Sequence, residues 1–375
     1  MSHALIVSPF LEGFLAVRPG SEAGIRLPEE KYLELQTLAG SDDPVPEWFA
    51  DAVYSTWRLD LHGEPSRDVM LVRFPSKYGY SRASWEINLG CNFDCEMCYL
   101  RERPFDALVY EDKLRLLDIM RAAGVLMLQI TGGEATIDPD FPGAYSYAYD
   151  QGMLITVSTN GSRLWKPEIL NLFEDRPPHR LVVSMYGATE ESYERLTRAR
   201  GAWNNFIRGV TAARDAGLPL RINIVVTSTN EDEVDAMTAM AKSWGLPHHV
   251  FPNLTPTIYG TGEPILVQSA KYLRERAPFA GCNAGVTFFH ADPHGKVSIC
   301  KVGRDDQIDL MAEGIEGLRR LPEISDRLML RTGGCEGCQL SGTCKVCRPL
   351  AKQYQESRTP LINYCQHGSK EGALA

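Results

Sequence analysis

Short apolar runs alternate with amphipathic stretches through the middle of the chain. Six runs are almost continuously apolar and rich in Val and Ile; they cover residues 83–89, 125–131, 154–158, 181–185, 220–226 and 248–251. Such runs are typical of strands buried on both faces of a parallel sheet. Between them, apolar residues recur at helical spacing over residues 111–123, 166–173, 203–216 and 231–244. This alternation predicts right-handed βαβ units.

Six consecutive βα units predict an α/β fold, either a partial (β/α)6 barrel of TIM type or an open parallel sheet. In both arrangements the functional groups are expected at the carboxyl ends of the strands. The loops that follow the six runs are therefore the first place to search for chemistry.

The flanking regions follow a different pattern. Residues 1–80 contain strand-like runs at 4–7 and 14–17 before helical patterns near 28–39 and 46–57, which predicts a small α+β region. The alternation of strand and helix patterns covers residues 81–264. Residues 265–375 form a tail rich in Cys and Gly. Within the tail, runs at 286–291 and 296–300 flank a turn that ends in Gly295, which predicts a β-hairpin. We therefore expect three domains.

Composition and charge narrow the function classes. The chain has 375 residues, 44% hydrophobic and 23% charged, which excludes a mainly disordered chain or a fibre. An excess of 48 acidic over 39 basic residues argues against a general nucleic-acid binder. No run approaches the roughly 18–20 apolar residues of a membrane span, and no export signal is apparent. We expect a cytoplasmic protein without a membrane partner, in a reducing compartment where disulfides rarely persist.

The first cysteine group lies directly after the first apolar run. Cys91, Cys95 and Cys98 place three thiols within eight residues. Three thiolates can hold three corners of a cubane iron–sulfur cluster, which normally takes four Cys ligands. Because no fourth Cys is near, one iron would stay open, as in catalytic metal sites. The alternative is a zinc knuckle that takes a distant fourth ligand.

A strand, the Cys-x3-Cys-x2-Cys spacing and a six-fold βα repeat together resemble the radical SAM superfamily. In that family the open iron of a [4Fe–4S] cluster is chelated by S-adenosylmethionine (SAM). An electron then cleaves SAM to a 5′-deoxyadenosyl radical, which takes a hydrogen atom from the substrate. The resemblance implies SAM and this cluster as cofactors, with a reducing partner such as flavodoxin or ferredoxin.

The resemblance also implies which residues contact SAM. Gly132, Gly133 and Glu134 are similar to the family's GGE segment, in which the glycines permit close approach and the carboxylate receives the SAM ammonium. Met97 stands where an aromatic residue is usual, and its thioether can still cover an adenine face. Further contacts are implied at Ser158, Asn160, Ser184, Arg198, Asn223 and Val226. Other polar residues at strand ends either meet the substrate or are structural: Glu86, Tyr99, Asp138, Tyr186 and His290.

The second cysteine group resembles the SPASM extension of radical SAM enzymes, which holds two auxiliary [4Fe–4S] clusters. The resemblance assigns Cys335, Cys338, Cys344 and Cys365 to the outer cluster and Cys282, Cys300 and Cys347 to the inner one. The gap between Cys344 and Cys347 is two residues long, whereas the family usually has three residues there. Seven cysteines serve two clusters that need eight, so the inner cluster is expected to have a non-Cys ligand or an open iron. Two zinc knuckles are the alternative for this region.

Radical SAM enzymes with this extension mostly modify residues of ribosomally made peptides. The resemblance therefore implies an oxidoreductase-type maturase that acts on a precursor peptide, giving a crosslink or a related modification. The alternative within the class is a dehydrogenase, similar to sulfatase-maturing enzymes or acting on a small alcohol. A third hypothesis, outside the enzyme class, is a zinc-dependent binding module. Residues 1–80 are either a reduced peptide-recognition element, which would bind a leader as an added edge strand, or a barrel-capping extension.

Overall fold

The computed structural model describes residues 3–275, 278–328 and 346–365. The cysteines Cys335, Cys338 and Cys344 lie outside the described residues, and so does most of the predicted outer cluster site.

A small α+β unit begins the chain, as the sequence predicts. Its elements are β1 (Leu5–Phe10), β2 (Gly13–Val17), β3 (Gly24–Leu27), α1 (Glu29–Thr37), α2 (Glu47–Trp57), α3 (Ser66–Val69) and β4 (Met70–Val72). The strands lie in the order β3-β2-β1-β4, with β1 antiparallel to β2 and parallel to β4. Leu5, Tyr32 and Phe49 are fully buried between this sheet and its helices. The unit thus has a hydrophobic core of its own.

A parallel sheet with connecting helices follows. Its elements are β5 (Arg82–Glu86), α4 (Tyr110–Ala122), β6 (Met127–Thr131), α5 (Phe141–Asp150), β7 (Leu154–Thr159), α6 (Pro167–Asp175), β8 (Arg180–Met185), α7 (Glu190–Thr197), α8 (Ala202–Asp215), β9 (Leu220–Val225), α9 (Val234–Ser243) and β10 (His248–Phe251). Strands β5 to β10 are neighbours in chain order and all parallel. The predicted α/β fold with six parallel strands is confirmed.

The two faces of these strands differ in burial. On β9, Leu220, Ile222 and Ile224 are buried, whereas the residues between them are half-buried. The same alternation is present on β8. Since successive side chains of a strand point to opposite faces, one face packs in the hydrophobic core and the other faces a cavity. The sequence predicted strands buried on both faces, and the cavity accounts for the difference.

The predicted hairpin is present, and it extends the same sheet. After α10 (Glu263–Leu266), the elements are β11 (Phe288–Ala291), β12 (Lys296–Ser298), β13 (Ile308–Asp309), α11 (Leu310–Glu313), α12 (Leu321–Asp326) and α13 (Arg348–Glu356). Strand β11 pairs parallel to β5, and β12 and β13 follow antiparallel. This pairing, which the sequence did not predict, brings the segment after β12 beside the carboxyl end of β5.

The α+β unit packs at the opposite end of the parallel sheet. Ile6 and Val17 contact Leu126 and Leu154, which lie at the amino ends of β6 and β7. The unit therefore lies away from the strand ends at which functional groups are expected. None of the helices in the described residues is long and apolar enough to cross a membrane.

Candidate functional site

The carboxyl ends of the parallel strands surround a cavity of about 390 Å³. The thiols of Cys91, Cys95 and Cys98 line one part of its wall. The SAM contacts implied by the sequence that also line it are Met97, Gly132, Gly133, Ser158, Asn160, Ser184 and Asn223. Residues from four successive strand ends thus meet the three thiols in one cavity.

Three predicted SAM contacts lie elsewhere. Val226 is fully buried in the hydrophobic core, and Val225 lines the cavity instead. A shift of one residue along a strand moves a side chain to the other face, which explains the difference. Arg198 ends α7 in a left-handed conformation, half-exposed and 3.8 Å from Asp94. Glu134 lies behind the cavity wall and is fully buried.

The carboxylate of Glu134 organises the turn after β7. Its Oε1 accepts hydrogen bonds from the amide and hydroxyl of Thr136, at 3.1 and 2.5 Å, and from the hydroxyl of Thr159 at 2.7 Å. Its Oε2 accepts from the amide of Asn160 at 2.6 Å. Three donors crowd Oε1, whereas Oε2 accepts one hydrogen bond and keeps an acceptor position. A SAM ammonium would have to approach Oε2, and this role of Glu134 stays a prediction.

Substituting Glu134 with Gln removes the charge and turns an amide NH2 group towards donors. We expect SAM to bind at least about tenfold more weakly and the free energy of unfolding to fall by about 1–3 kcal/mol. Equilibrium SAM binding to cluster-loaded protein and denaturant unfolding measure the two effects. The control is Glu191→Gln on exposed α7. If both variants behave alike, Glu134 has neither role.

Gly132 and Gly133 are required by the backbone of the neighbouring strand. A Cβ on Gly132 would lie 2.2 Å from the carbonyl oxygen of Asn88, and Gly132 has φ +152°. A Cβ on Gly133 would lie 2.2 Å from the carbonyl oxygen of Gly90. The amide of Glu134 donates to that same oxygen at 2.8 Å. The glycines thus let the end of β6 pack against the segment that leads into Cys91, a contact that sequence reasoning had assigned to the ligand.

The segment that carries the three cysteines is held from both sides. The amide of Asp94 donates to the carbonyl of Thr197 at 2.8 Å, and that of Glu96 donates to Leu196 at 3.1 Å. On the other side, Asn92 accepts a hydrogen bond from the Asn160 side chain at 2.9 Å. The cysteine loop is therefore fixed between the end of α7 and the turn after β7.

Two of the thiols, those of Cys91 and Cys95, lie in a desolvated environment. Burial raises the pKa of Cys91 to about 12, with Glu134 adding to the effect, and burial raises the pKa of Cys95 well above its usual value. Such thiols stay protonated at neutral pH, so a metal must supply the energy of deprotonation when it binds. Within the described residues, no three Cys, His, Asp or Glu side chains converge on a single ion. A cubane differs in placing each thiolate on a separate iron, and three thiols on one cavity wall fit three of its corners.

A second group of thiols gathers beside this cavity. Cys300 interacts electrostatically with Cys282 and Cys347, the three residues predicted for the inner auxiliary cluster, and burial raises its pKa to about 11. Cys347 lines a second cavity of about 280 Å³. Asn253 lines both cavities. The structure thus brings these three cysteines near one another, and their ligand role stays a prediction.

Charged side chains are buried between the two groups of thiols. Glu86 is fully buried; its carboxylate accepts from Arg304 at 2.8 Å and from the Tyr99 hydroxyl at 3.2 Å, with His290 at 3.4 Å. Burial acts to raise the pKa of Glu86, but His290 and Arg304 hold it well below its usual value. Burial lowers the pKa of His290 to about 4, so its ring is neutral at pH 7. The cations Lys301 and Arg304 were missed from sequence; their position within four residues after Cys300 was the available signal.

A buried ion cluster supports the turn after β6. Lys113 donates to Asp138 at 2.8 Å and to Asp140 at 2.9 Å, and the side chains of Lys113 and Asp138 are only 3% and 0% exposed. Asn88, at the end of the β5 segment, also donates to Asp138. Asp138 was a candidate substrate contact, but its carboxylate is engaged by Lys113 and Asn88 in this buried cluster.

Replacing Lys113 with Met leaves the Asp138 carboxylate buried without its cation. We expect the free energy of unfolding to fall by about 3–5 kcal/mol. Denaturant unfolding followed by circular dichroism measures it, with Lys242→Met on exposed α9 as the matched control. A loss no greater than that of the control would mean that the ion cluster contributes nothing to stability.

The arrangement agrees with comparisons to known proteins. Residues 85–241 match the radical SAM superfamily model. An AdoMet-dependent heme synthase of Methanosarcina barkeri is 30% identical over 46% of this chain, which covers 50% of that protein. The mycofactocin maturase MftC of Mycobacterium tuberculosis is 25% identical over 78% of this chain and 84% of its own length. The chain thus spans about half the length of the first of these relatives and most of the second.

Two solved structures share the fold. Streptococcus suis SuiB, crystallised with the precursor peptide SuiA, superposes with a TM-score of 0.59 at 14% identity, over 91% of this chain and 93% of SuiB. The enzyme anSMEcpe with bound AdoMet superposes with a TM-score of 0.52 at 14% identity, over 76% of this chain and 94% of anSMEcpe. The family match over residues 85–241 shows a radical SAM domain within the chain, and the two solved structures show the shared fold. Such a domain implies SAM and one [4Fe–4S] cluster.

Proposed function

We propose that the protein is a radical SAM enzyme that modifies a residue of a ribosomally made precursor peptide. The observation that carries this proposal is the cavity, in which three half-buried thiols from one loop meet glycine, hydroxyl and amide groups from four strand ends. Similarity to a mycofactocin maturase over 78% of the chain favours a peptide substrate. So does the shared fold with SuiB, which was crystallised with a precursor peptide.

Each part of the cavity has a proposed role. Cys91, Cys95 and Cys98 hold the cluster and leave one iron for SAM. The polar groups of Ser158 and Ser184 orient SAM, and Met97 covers its adenine. When bound, the cluster and SAM supply a 5′-deoxyadenosyl radical that takes a hydrogen atom from the substrate. The buried walls exclude water from that radical.

The proposal extends to the rest of the chain. Residues 1–80 are a separate small domain, residues 81–264 the radical SAM barrel and residues 265–375 a SPASM domain with two auxiliary [4Fe–4S] clusters. The gathering of Cys282, Cys300 and Cys347 favours the inner cluster at that position. Flavodoxin or ferredoxin is the proposed source of electrons, since the cluster must be reduced before SAM is cleaved.

The substrate class is tested with short peptides encoded beside the gene. Each peptide is incubated with reduced, cluster-loaded enzyme and SAM, and its mass and fragmentation pattern are recorded. We expect a loss of two hydrogens with two residues tethered, or a comparable change at one residue. Cleavage of SAM without any change in these peptides would contradict a peptide substrate while leaving the SAM chemistry intact.

A further inference from the structure

The cavity wall has an unbalanced charge. Among the described residues that line it there is no Asp or Glu, but there are two cations, Arg103 and Lys301. Arg103 is satisfied locally, because its guanidinium donates to the carbonyl of Phe93 and pairs with Asp94. The positive charge that remains for the cavity is that of Lys301.

The ammonium of Lys301 has only weak partners, among them the Tyr99 ring, whose centroid lies 5.5 Å away. Its Nζ lies 3.4 Å from the hydroxyl of Tyr99 and 3.5 Å from the hydroxyl of Thr131. Both distances exceed the 2.7–3.2 Å that is usual for an N–H···O hydrogen bond. Within the described part of the chain, Lys301 makes no ion pair, so its donors are available to a molecule in the cavity.

The nearest buried carboxylate is already occupied. Glu86 accepts from Arg304 at 2.8 Å, and this pair neutralises itself. The Tyr99 hydroxyl donates to Glu86 and can accept only weakly from Lys301 at its longer distance. His290, on the far side of Glu86, is buried, and its Nδ1 lies 2.8 Å from the Ser84 hydroxyl. Glu86 also attracts Lys301 at longer range, but the hydrogen bonds of its carboxylate go to Arg304 and Tyr99, so Lys301 Nζ keeps donors for a molecule in the cavity.

A partly buried ammonium with such weak partners is stabilised by an anion that pairs with it. We propose that Lys301 Nζ binds the carboxylate of a molecule held in this cavity. The inference rests on the proposed function, which supplies two such molecules, SAM and the substrate. Lys301 follows β12 and reaches the β5–β6 side of the cavity, whereas the implied SAM contacts extend from β6 to β9. This position favours a substrate carboxylate, from an acidic side chain or a chain terminus, placed beside the thiol loop.

The first arm of the test uses SAM itself. Dissociation constants of SAM and of decarboxylated SAM are measured on cluster-loaded wild type, Lys301→Met and Lys301→Arg. The open iron of the proposed site can also bind the SAM carboxylate, so wild type prefers SAM to decarboxylated SAM in either case. If Lys301 binds the carboxylate of SAM, Lys301→Met reduces that preference by about tenfold to a hundredfold. If the carboxylate is that of the substrate, all three proteins bind SAM alike.

The second arm uses a carboxylate probe on the SAM-loaded protein. N-acetylleucine and N-acetylleucinamide differ in a carboxylate against an amide, and their binding is followed by saturation-transfer NMR. We expect wild type, Lys301→Arg and the control Lys296→Met, an exposed residue of the same hairpin, to prefer the acid. Lys301→Met should bind the two probes equally.

The proposal is overturned if Lys301→Met discriminates SAM from its decarboxylated analogue, and the acid from the amide, to the same extent as wild type. Iron is quantified in every protein, and Lys301→Arg, which keeps the charge, controls for the effect of a substitution at this position. It is also overturned if Lys301→Met changes only the reduction potential of an auxiliary cluster. Failure of SAM cleavage by wild type would instead reject the proposed function.

Discussion

Alanine in place of Cys95 is expected to lower SAM cleavage to the solution background and to reduce bound iron by about four atoms per chain. Cys95 is one of three thiols on the cavity wall, and it interacts electrostatically with the other two. Two remaining thiolates can hold only two corners of a cubane. Iron analysis and quantification of 5′-deoxyadenosine measure the two effects after anaerobic reconstitution.

A matched control lies in the same segment. Glu102 is exposed and does not line the cavity, so Glu102→Ala should keep the iron content and SAM cleavage of wild type. If Cys95→Ala keeps both as well, Cys95 is not a ligand of the SAM-binding cluster, and the assignment of the loop fails.

Alanine at Gly133 is the second substitution with a large expected effect. Its Cβ would lie 2.2 Å from the carbonyl oxygen of Gly90 and 2.4 Å from that of Leu89. Backbone atoms cannot move aside as a flexible side chain can, so the cost should exceed the about 1–3 kcal/mol typical of overpacking. Because these carbonyls immediately precede Cys91, the cysteine loop must shift, and SAM binding should be lost as well.

Thermal unfolding and SAM binding are measured on Gly133→Ala beside Gly13→Ala. A Cβ on Gly13 meets nothing within 4 Å, so this strand glycine controls for the substitution itself. Equal unfolding temperatures and equal SAM affinities in the two variants would contradict the close approach between the end of β6 and the cysteine loop.

Sequence periodicity predicted the barrel because its cause is local. Alternation of apolar runs and amphipathic helices follows directly from burial between a sheet and its helices, so β5 to β10 lie within a few residues of the predicted runs. The pairing of β11 with β5 depends on contacts between residues about 200 positions apart, such as Phe289 and Ala83. No local pattern encodes such a pairing. The sequence therefore predicted the hairpin but not the strand with which it pairs.

Residues that line the cavity could be predicted from the sequence where they belong to short motifs. The cysteine spacing and the Gly132–Gly133 pair identified the cavity wall, yet the strand register could not be read from an apolar run. For that reason Val226 was chosen where Val225 lines the cavity. Lys301 was missed because its role depends on the charges around it, Glu86 and Arg304, which come from distant parts of the chain.

The account's central claim is that the three thiols of Cys91, Cys95 and Cys98 hold an iron–sulfur cluster that cleaves SAM. It is tested most directly by reconstituting the protein anaerobically with iron and sulfide, reducing it with dithionite and measuring 5′-deoxyadenosine formed from SAM. We predict a brown, iron-containing protein that forms 5′-deoxyadenosine, with cleavage lost in Cys95→Ala. A colourless protein that retains zinc, binds no iron and leaves SAM intact would contradict the claim and favour a zinc-binding module.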